Sequence, residues 1–165
     1  RQFEFNHSDS SHYDVYALDM LSTDTTKFFS SGEIYSRVEK TDIVSTHPLT
    51  YRYLNVCVAA ETNCSRCHKC QRTLVTLDLL GKLDLYNKVF DLDDYRMRRS
   101  KYFGLVLGGW KNDLMKQEIY DTIKQDKYHI PFGAYLYRYP EVIFQFGIRH
   151  CPEFIKRPYR KLKRH

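Results

Sequence analysis

Four of the five cysteines in this chain lie close together, in the order C-x6-C-x2-C-x2-C, at Cys57, Cys64, Cys67 and Cys70. A C-x2-C turn points two thiolates at one ion, because its backbone amides curl toward the sulfurs. Tetrahedral zinc takes four such ligands at about 2.3 Å. The loop between Cys57 and Cys64 is long enough to bring the first cysteine back to the other three. The spacing therefore predicts a zinc site of four thiolates.

A zinc ion whose four positions are all filled by protein is structural, since catalytic zinc keeps one position open for water or substrate. A zinc hydrolase or deaminase also needs a nearby general acid or base. Within residues 57–70 the only carboxylate belongs to Glu61. A cysteine nucleophile is disfavoured too, because the clustered thiols are better used on a metal. No catalytic residue is predicted.

Other interpretations of the cysteines stay open. An iron–sulfur cluster also takes four thiolates at short C-x2-C steps. Ordinary reduced thiols are a further alternative, which this clustering disfavours. His68 lies inside the motif and is expected to be a solvated neighbour, and the distant Cys151 is expected to be a free or buried thiol.

The composition places the chain among globular proteins. It has 165 residues, 42% of them apolar and 15% aromatic, which is enough for one domain with a core. No apolar run approaches the roughly 18 residues of a membrane span, and no signal segment opens the chain. The cytoplasm is therefore the expected compartment, and its reducing conditions keep clustered thiols available for metal.

The positive charge is concentrated at the C-terminus. Residues 149–165 carry seven basic side chains and one acidic side chain, which accounts for the whole net charge of +6. This basic tail predicts contact with phosphates or lipid headgroups. The alternative is a solvated terminus.

The N-terminal elements have weak patterns. Residues 14–21 predict a short helix with one apolar face that includes Leu21, and residues 25–29 are β-branched and aromatic, which predicts a strand. A helix follows, with Ser31 or Ser36 as its N-cap, and it ends before Pro48.

A stronger helical pattern begins at Cys67. Leu74 and Leu77 share one face with their neighbours, and Gly81 is expected to end the helix. This arrangement places Cys67 and Cys70 in the first turn, where free amides and the helix dipole favour thiolates.

Two further helices are predicted, over residues 91–102 and 112–126, with a turn at Gly108 and Gly109 between them. The second should face inward through Leu114, Ile119 and Ile123. Residues 130–155 are rich in aromatics and broken by prolines, which is consistent with a hairpin or short helices. Their side chains form either a partner surface or a local core.

Several segments together resemble a known family. They are SSGE at residues 30–33, SRVEK at 36–40, NVC at 55–57 and NCSRCHKCQRT at 63–73. The chain resembles the C-terminal half of a PP-loop ATP pyrophosphatase of the adenine nucleotide alpha hydrolase type. Its cysteines are similar in order to the zinc knuckle of 7-cyano-7-deazaguanine synthase.

The resemblance implies an α/β fragment that is mainly helical. Residues 1–84 would be the C-terminal part of a doubly wound PP-loop-like domain, with the knuckle at residues 57–70. Residues 85–165 would be a helical, aromatic extension with the basic tail.

The resemblance also implies ATP chemistry for an intact protein. Members of the superfamily bind ATP phosphates with a Ser-Gly-Gly-x-Asp-Ser loop, which this sequence lacks. The chain alone is therefore expected not to be catalytic, whereas an intact protein would be an ATP-dependent ligase or synthase. Because it begins at Arg1, we expect a fragment, or a truncated protein, whose N-terminal nucleotide-binding portion is the missing partner.

Four charged residues are candidates for nucleotide or acyl-substrate contacts. In doubly wound folds, helix N-termini line the ligand crevice. This implies roles for Glu33, Arg37, Glu39 and Lys40. The alternative is a solvated helix face with pairs such as Glu33 and Arg37.

A second function from another class stays open. The chain would be a zinc-stapled interaction module that binds nucleic acid or a protein partner. Arg66, Lys69, Arg72 and the basic tail would supply the positive charge, and interleaved aromatics would stack on bases.

Overall fold

A computed structural model describes residues 14–29 and 34–139. Across these residues the chain is mainly helical and contains no β-strand. It divides into two compact units, one up to Ser36 and the other from Arg37 onward. The first unit contains helix α1. The second contains α2 (Arg37–Val44), α3 (Thr50–Tyr53), α4 (His68–Leu79), α5 (Leu92–Gly109) and α6 (Leu114–Gln125), and residues 133–139 are also helical.

The first unit has the predicted short helix but not the predicted strand. Helix α1 spans Asp14–Met20, so it ends one residue before Leu21, whose side chain is exposed. Residues 25–29 form an irregular loop. The loop closes on itself because Ser22 Oγ accepts a hydrogen bond from the Phe28 N–H at 2.9 Å. No strand lies beside it in the described part of the chain, so its backbone groups lack a ladder to join.

The helix predicted before Pro48 is confirmed as α2, which follows Ser36 directly. Val38 is its buried residue, and the helix packs against α4 and α6. Ser31, the other predicted N-cap, lies outside the described residues.

Helix α4 confirms the strongest pattern in the sequence. Leu74 and Leu77 are fully buried, and Gly81 ends the helix with φ of +66°. The Lys82 N–H donates to the Leu77 carbonyl at 2.9 Å, and the Gly81 N–H donates to the Asp78 carbonyl at 3.1 Å. These two bonds form a Schellman motif, which glycine favours because it adopts positive φ without strain.

Helix α5 is longer than predicted. It begins after Asp91, whose side chain caps the Asp94 N–H, and it continues to Gly109. The predicted turn at Gly108 and Gly109 is wrong, because buried residues beyond Tyr102, such as Phe103 and Leu107, extend the packed face. A 3-10 turn at Trp110–Asn112 makes the reversal instead.

Helix α6 packs against α5 and confirms two of three inward residues. Ile119 and Ile123 are buried, whereas the prediction for Leu114 is wrong because its side chain is 51% exposed. Leu114 is the first residue of the helix. The Asp113 carboxylate caps the start through the N–H of Met115 at 3.0 Å.

The aromatic segment after residue 130 begins as a helix, not a hairpin. Residues 133–139 are helical, and Ala134 is fully buried while Phe132 and Leu136 are exposed. The rest of that segment lies outside the described residues.

None of the helices in residues 14–29 and 34–139 combines the length and the apolar character that crossing a bilayer requires. A doubly wound domain and a boundary between residues 84 and 85 stay predictions.

Candidate metal centre

The four clustered cysteines converge on one point. Their sulfurs all lie within 4.8 Å of one another. Four thiolates around one zinc ion, at bonds of about 2.3 Å, have sulfurs separated by about 3.8 Å. Cys57 Sγ and Cys67 Sγ are 3.9 Å apart. The predicted cluster is confirmed, and its geometry suits a single tetrahedral ion.

Two asparagines fold the first cysteine back to the others. Asn63 accepts a hydrogen bond from the Val56 N–H at 2.9 Å and donates to the Leu54 carbonyl at 2.8 Å. Asn55 donates to the carbonyl of Glu61. The cysteine spacing alone did not predict this role for either residue, although asparagines flanking a short loop commonly bond to nearby backbone.

Backbone amides point at the sulfurs, as the C-x2-C spacing predicts. Cys64 Sγ accepts from the Cys67 N–H at 3.2 Å, and Cys67 Sγ accepts from the Cys70 N–H at 3.5 Å. Cys67 is the N-cap of α4, and Cys70 lies in its first turn. The prediction that these cysteines occupy the helix start is confirmed.

The thiols differ in acidity because their surroundings differ. Hydrogen bonds from the backbone at Cys64 and then at Ala59 lower the pKa of Cys57 to about 6. Burial raises the pKa of Cys67, but hydrogen bonds from the backbone at Cys70 and Val58 outweigh it and leave that pKa below its ordinary value. Burial, followed by the hydrogen bond with Cys67, raises the pKa of Cys70. The surroundings therefore favour the thiolate form at Cys57 and Cys67 and disfavour it at Cys70.

The knuckle, residues 57–70, docks on α5 through groups other than cysteine. Ser65, which has a φ of +57°, is buried, and its hydroxyl accepts from the Asp91 N–H at 2.9 Å. Tyr102 donates to the Ser65 carbonyl at 3.2 Å. Arg66 donates two hydrogen bonds to Asp94, at 2.9 and 3.2 Å. Protein contacts therefore orient the knuckle against the N-terminal half of α5.

Asp94 is the charged centre of this docking. Its side chain is 5% exposed and also accepts from Arg98 at 2.9 Å. Hydrogen bonds from Arg66 and then Arg98 hold the pKa of Asp94 below its usual range. Asp94 was missed in the sequence, because its partner Arg66 lies on a separate element far earlier in the chain.

The residues predicted to contact a nucleotide do not all meet. Arg37 and Lys40 line one cleft, together with Arg72 of α4. Glu39 is exposed on α2 and is not among the residues that line that cleft. Glu33 lies outside the described residues.

The basic residues predicted to bind nucleic acid have different contacts in the structure. Arg66 is paired with Asp94, whereas Arg72 lines the cleft and donates to the Met115 sulfur. Lys69 is half-buried on α4. The basic tail and Cys151 lie outside the described residues. His68 is exposed at the start of α4 and does not belong to the four-sulfur cluster.

Comparisons with protein-family models, curated proteins and solved structures found no match to this chain. The relationship to PP-loop proteins therefore stays a prediction from short motifs, and the chemistry of the metal centre is argued from its geometry.

Proposed function

We propose that this chain is a helical module stapled by one structural zinc ion at Cys57, Cys64, Cys67 and Cys70. The observation that carries the proposal is the convergence of four sulfurs to within 4.8 Å of one another. Four thiolates complete the coordination of zinc and leave no position for substrate, so the site stabilises structure. The proposal places the chain in the cytoplasm, where thiols stay reduced.

The sulfur spacing favours a single ion over an iron–sulfur cluster. In a four-iron cluster each thiolate binds a different iron, so the sulfurs surround the whole cluster and stand far apart. Cys57 Sγ and Cys67 Sγ are 3.9 Å apart, which suits two ligands of one ion. Zinc is the common occupant of such compact four-cysteine sites.

A second part of the proposal concerns a longer protein of which this chain would be one portion. We infer that the chain is the C-terminal portion of a PP-loop ATP pyrophosphatase-like protein, similar to deazaguanine synthase, and is not catalytic alone. The order of its motifs supports this, as does the position of Arg37 and Lys40 at one cleft. ATP would be bound mainly by an N-terminal nucleotide-binding portion, with Glu33 and Glu39 nearby.

Metal analysis of the purified chain by inductively coupled plasma mass spectrometry tests the zinc site. We expect about one equivalent of zinc per chain, lost in Cys64→Ser and in Cys67→Ser. Cys151→Ser is the matched control, because that cysteine lies outside the motif, and it should keep its zinc. Iron with inorganic sulfide, or no metal in the unmodified chain, would contradict the proposal.

A further inference from the structure

A cleft of about 180 Å³ lies beside the knuckle, between α2, α4 and the segment that leads into Cys57. Three cationic side chains line it: Arg37, Lys40 and Arg72. Its apolar wall comes from Val44, Leu54 and Val56. Val56 directly precedes Cys57, so the segment that leads into the knuckle forms one side of the cleft.

In the described part of the chain, none of these three side chains forms an ion pair with a carboxylate. Arg66, Arg96, Arg98, Arg99 and Lys82 each form an ion pair, and none of those pairs includes a cation of the cleft. Glu118 accepts a hydrogen bond from the main-chain N–H of Arg37 at 2.8 Å. Arg72 donates to the Met115 sulfur, a weak acceptor. The cleft therefore concentrates positive charge whose strongest hydrogen-bond donors are not used by carboxylates.

The position of Arg72 disfavours the charged form of its guanidinium group. Burial, and then the positive charge of Arg37, lower the pKa of Arg72, although the carboxylates of Asp113 and Glu118 partly oppose the shift. Like charges on a partly apolar wall repel more strongly than in water. A bound anion would relieve this repulsion.

We propose that the cleft binds one anionic group, a phosphate or a carboxylate, of a small-molecule ligand, with Arg37, Lys40 and Arg72 as its donors. Guanidinium groups bind both kinds of anion through paired N–H donors. The volume is below the roughly 300–1,000 Å³ of a complete small-molecule site. The cleft therefore takes the charged end of a ligand whose remainder lies outside it.

The hydroxyl groups of the threonines that line the cleft already donate to other groups. The hydroxyls of Thr41, Thr73 and Thr76 donate to carbonyls of their own helices at 2.8, 3.0 and 2.9 Å. Their protons are thus in use, and the cations remain as the donors for an anion.

The inference rests on the proposed function in that it assigns a ligand class to the cleft beside the knuckle. The test separates the two by measuring zinc content in every sample. Titration calorimetry of the zinc-loaded full chain uses inorganic phosphate, AMP, adenosine and succinate as probes. We expect phosphate and AMP, or succinate, to bind, and adenosine not to bind.

Charge-removing variants test the donors. Arg72→Gln and Lys40→Gln should each weaken anion binding by about tenfold or more, since hydrogen bonds to charged groups contribute about 1.5–3 kcal/mol. Arg52→Gln is the matched control, because Arg52 is exposed on α3 and does not line the cleft. Lys40→Gln keeps the test valid if the more buried Arg72 is needed for folding.

Each outcome decides the proposal. Binding of phosphate and AMP identifies a phosphate ligand, and binding of succinate alone identifies a carboxylate ligand. A chain that holds its zinc yet binds no anion, or binds adenosine as well as AMP, overturns the anion site and leaves the zinc proposal intact. Equal affinities in Lys40→Gln and Arg52→Gln would also overturn it.

Discussion

At the scale of single residues, the four thiols are not equivalent. Cys57 is a ready thiolate near neutral pH, whereas the buried Cys70 keeps its proton. The backbone creates this difference, because its N–H groups point at Cys57 while the start of α4 removes Cys70 from water. Such asymmetry makes zinc binding sensitive to pH.

We predict that zinc affinity falls on acidification in two regimes. Cys70, with its raised pKa, must release a proton to zinc at any pH between 6 and 8, which changes affinity by at least about tenfold per pH unit. Cys57 has a pKa of about 6, lowered from 9.0, so below that pH it adds a further proton and steepens the dependence. Competition with a chromophoric chelator from pH 5 to 8 measures this. An affinity independent of pH would contradict it.

Replacing Asp94 should lower the free energy of unfolding more than replacing Asp93. Asp94→Asn removes the charge that holds Arg66 and Arg98, and it should lower the free energy of unfolding by about 1–3 kcal/mol. Asp93→Asn is the matched control, because Asp93 is 91% exposed and its ion pair with Arg96 contributes little. Urea unfolding of the zinc-loaded chain measures both. Equal losses would argue against the docking role of Asp94.

At the scale of elements, one carboxylate joins α4 to α5 and to the segment after α6. Asp78 accepts hydrogen bonds from Tyr95 at 2.7 Å, Arg99 at 2.6 Å and Tyr128 at 2.9 Å. Arg99 also donates to Tyr128 at 2.7 Å, so the group is mutually satisfied. Tyr95 is buried and the other three residues are partly buried, so a shift of the helices would leave polar groups without their hydrogen-bond partners.

The helical residues 133–139 dock on α5 through a glycine. A Cβ at Gly104 would overlap Tyr137 and would lie 2.8 Å from the Ala134 carbonyl. Gly104→Ala should therefore lower the free energy of unfolding by about 1–3 kcal/mol. It should also speed hydrogen exchange in residues 133–139. Thermal unfolding and exchange mass spectrometry measure these effects.

Lys101→Ala is the control for this substitution, because Lys101 is exposed on the same helix. It should leave stability and exchange almost unchanged, since exposed substitutions away from packed features have small effects. If Gly104→Ala behaves like Lys101→Ala, the close contact between these two helices is not formed.

At the scale of the second unit, zinc and the helical core are partly separate. The core residues of α4, α5 and α6 include Leu77, Phe103 and Ile119, which lie outside the knuckle, although Cys70 also belongs to the core and the other three cysteines pack against it. Ser65 and Arg66 also hold the knuckle on α5 without metal. The proposed zinc ion would therefore add stability to a core whose packing comes largely from the helices.

Removing zinc should lower the melting temperature but leave most helices formed. Binding of a metal to the folded state alone raises the apparent stability of that state. We expect chelation to shift the thermal transition downward while far-ultraviolet circular dichroism at low temperature changes little. Restoring zinc should restore the transition. Loss of all helical signal on chelation would show that the core depends on the metal.

The sequence alone was sufficient for features that depend on residues close in the chain. These are the cysteine cluster, the placement of Cys67 and Cys70 at a helix start, the glycine that ends α4, and the buried stripe of α6. Spacing determines them, because a turn or a helix brings near neighbours together in a fixed way.

The tertiary structure decided what depends on distant residues. The length of α5, the loop at residues 25–29, the pairing of Arg66 with Asp94, and the meeting of Arg37, Lys40 and Arg72 at one cleft are of this kind. Helix α5 continues to Gly109, although local propensity predicts a stop at Gly108 and Gly109. Burial of an apolar face outweighs that propensity. The cysteine spacing is a property of the local sequence, whereas the charges that dock the knuckle meet their partners, and the cations of the cleft meet one another, only when α2, α4 and α5 pack together.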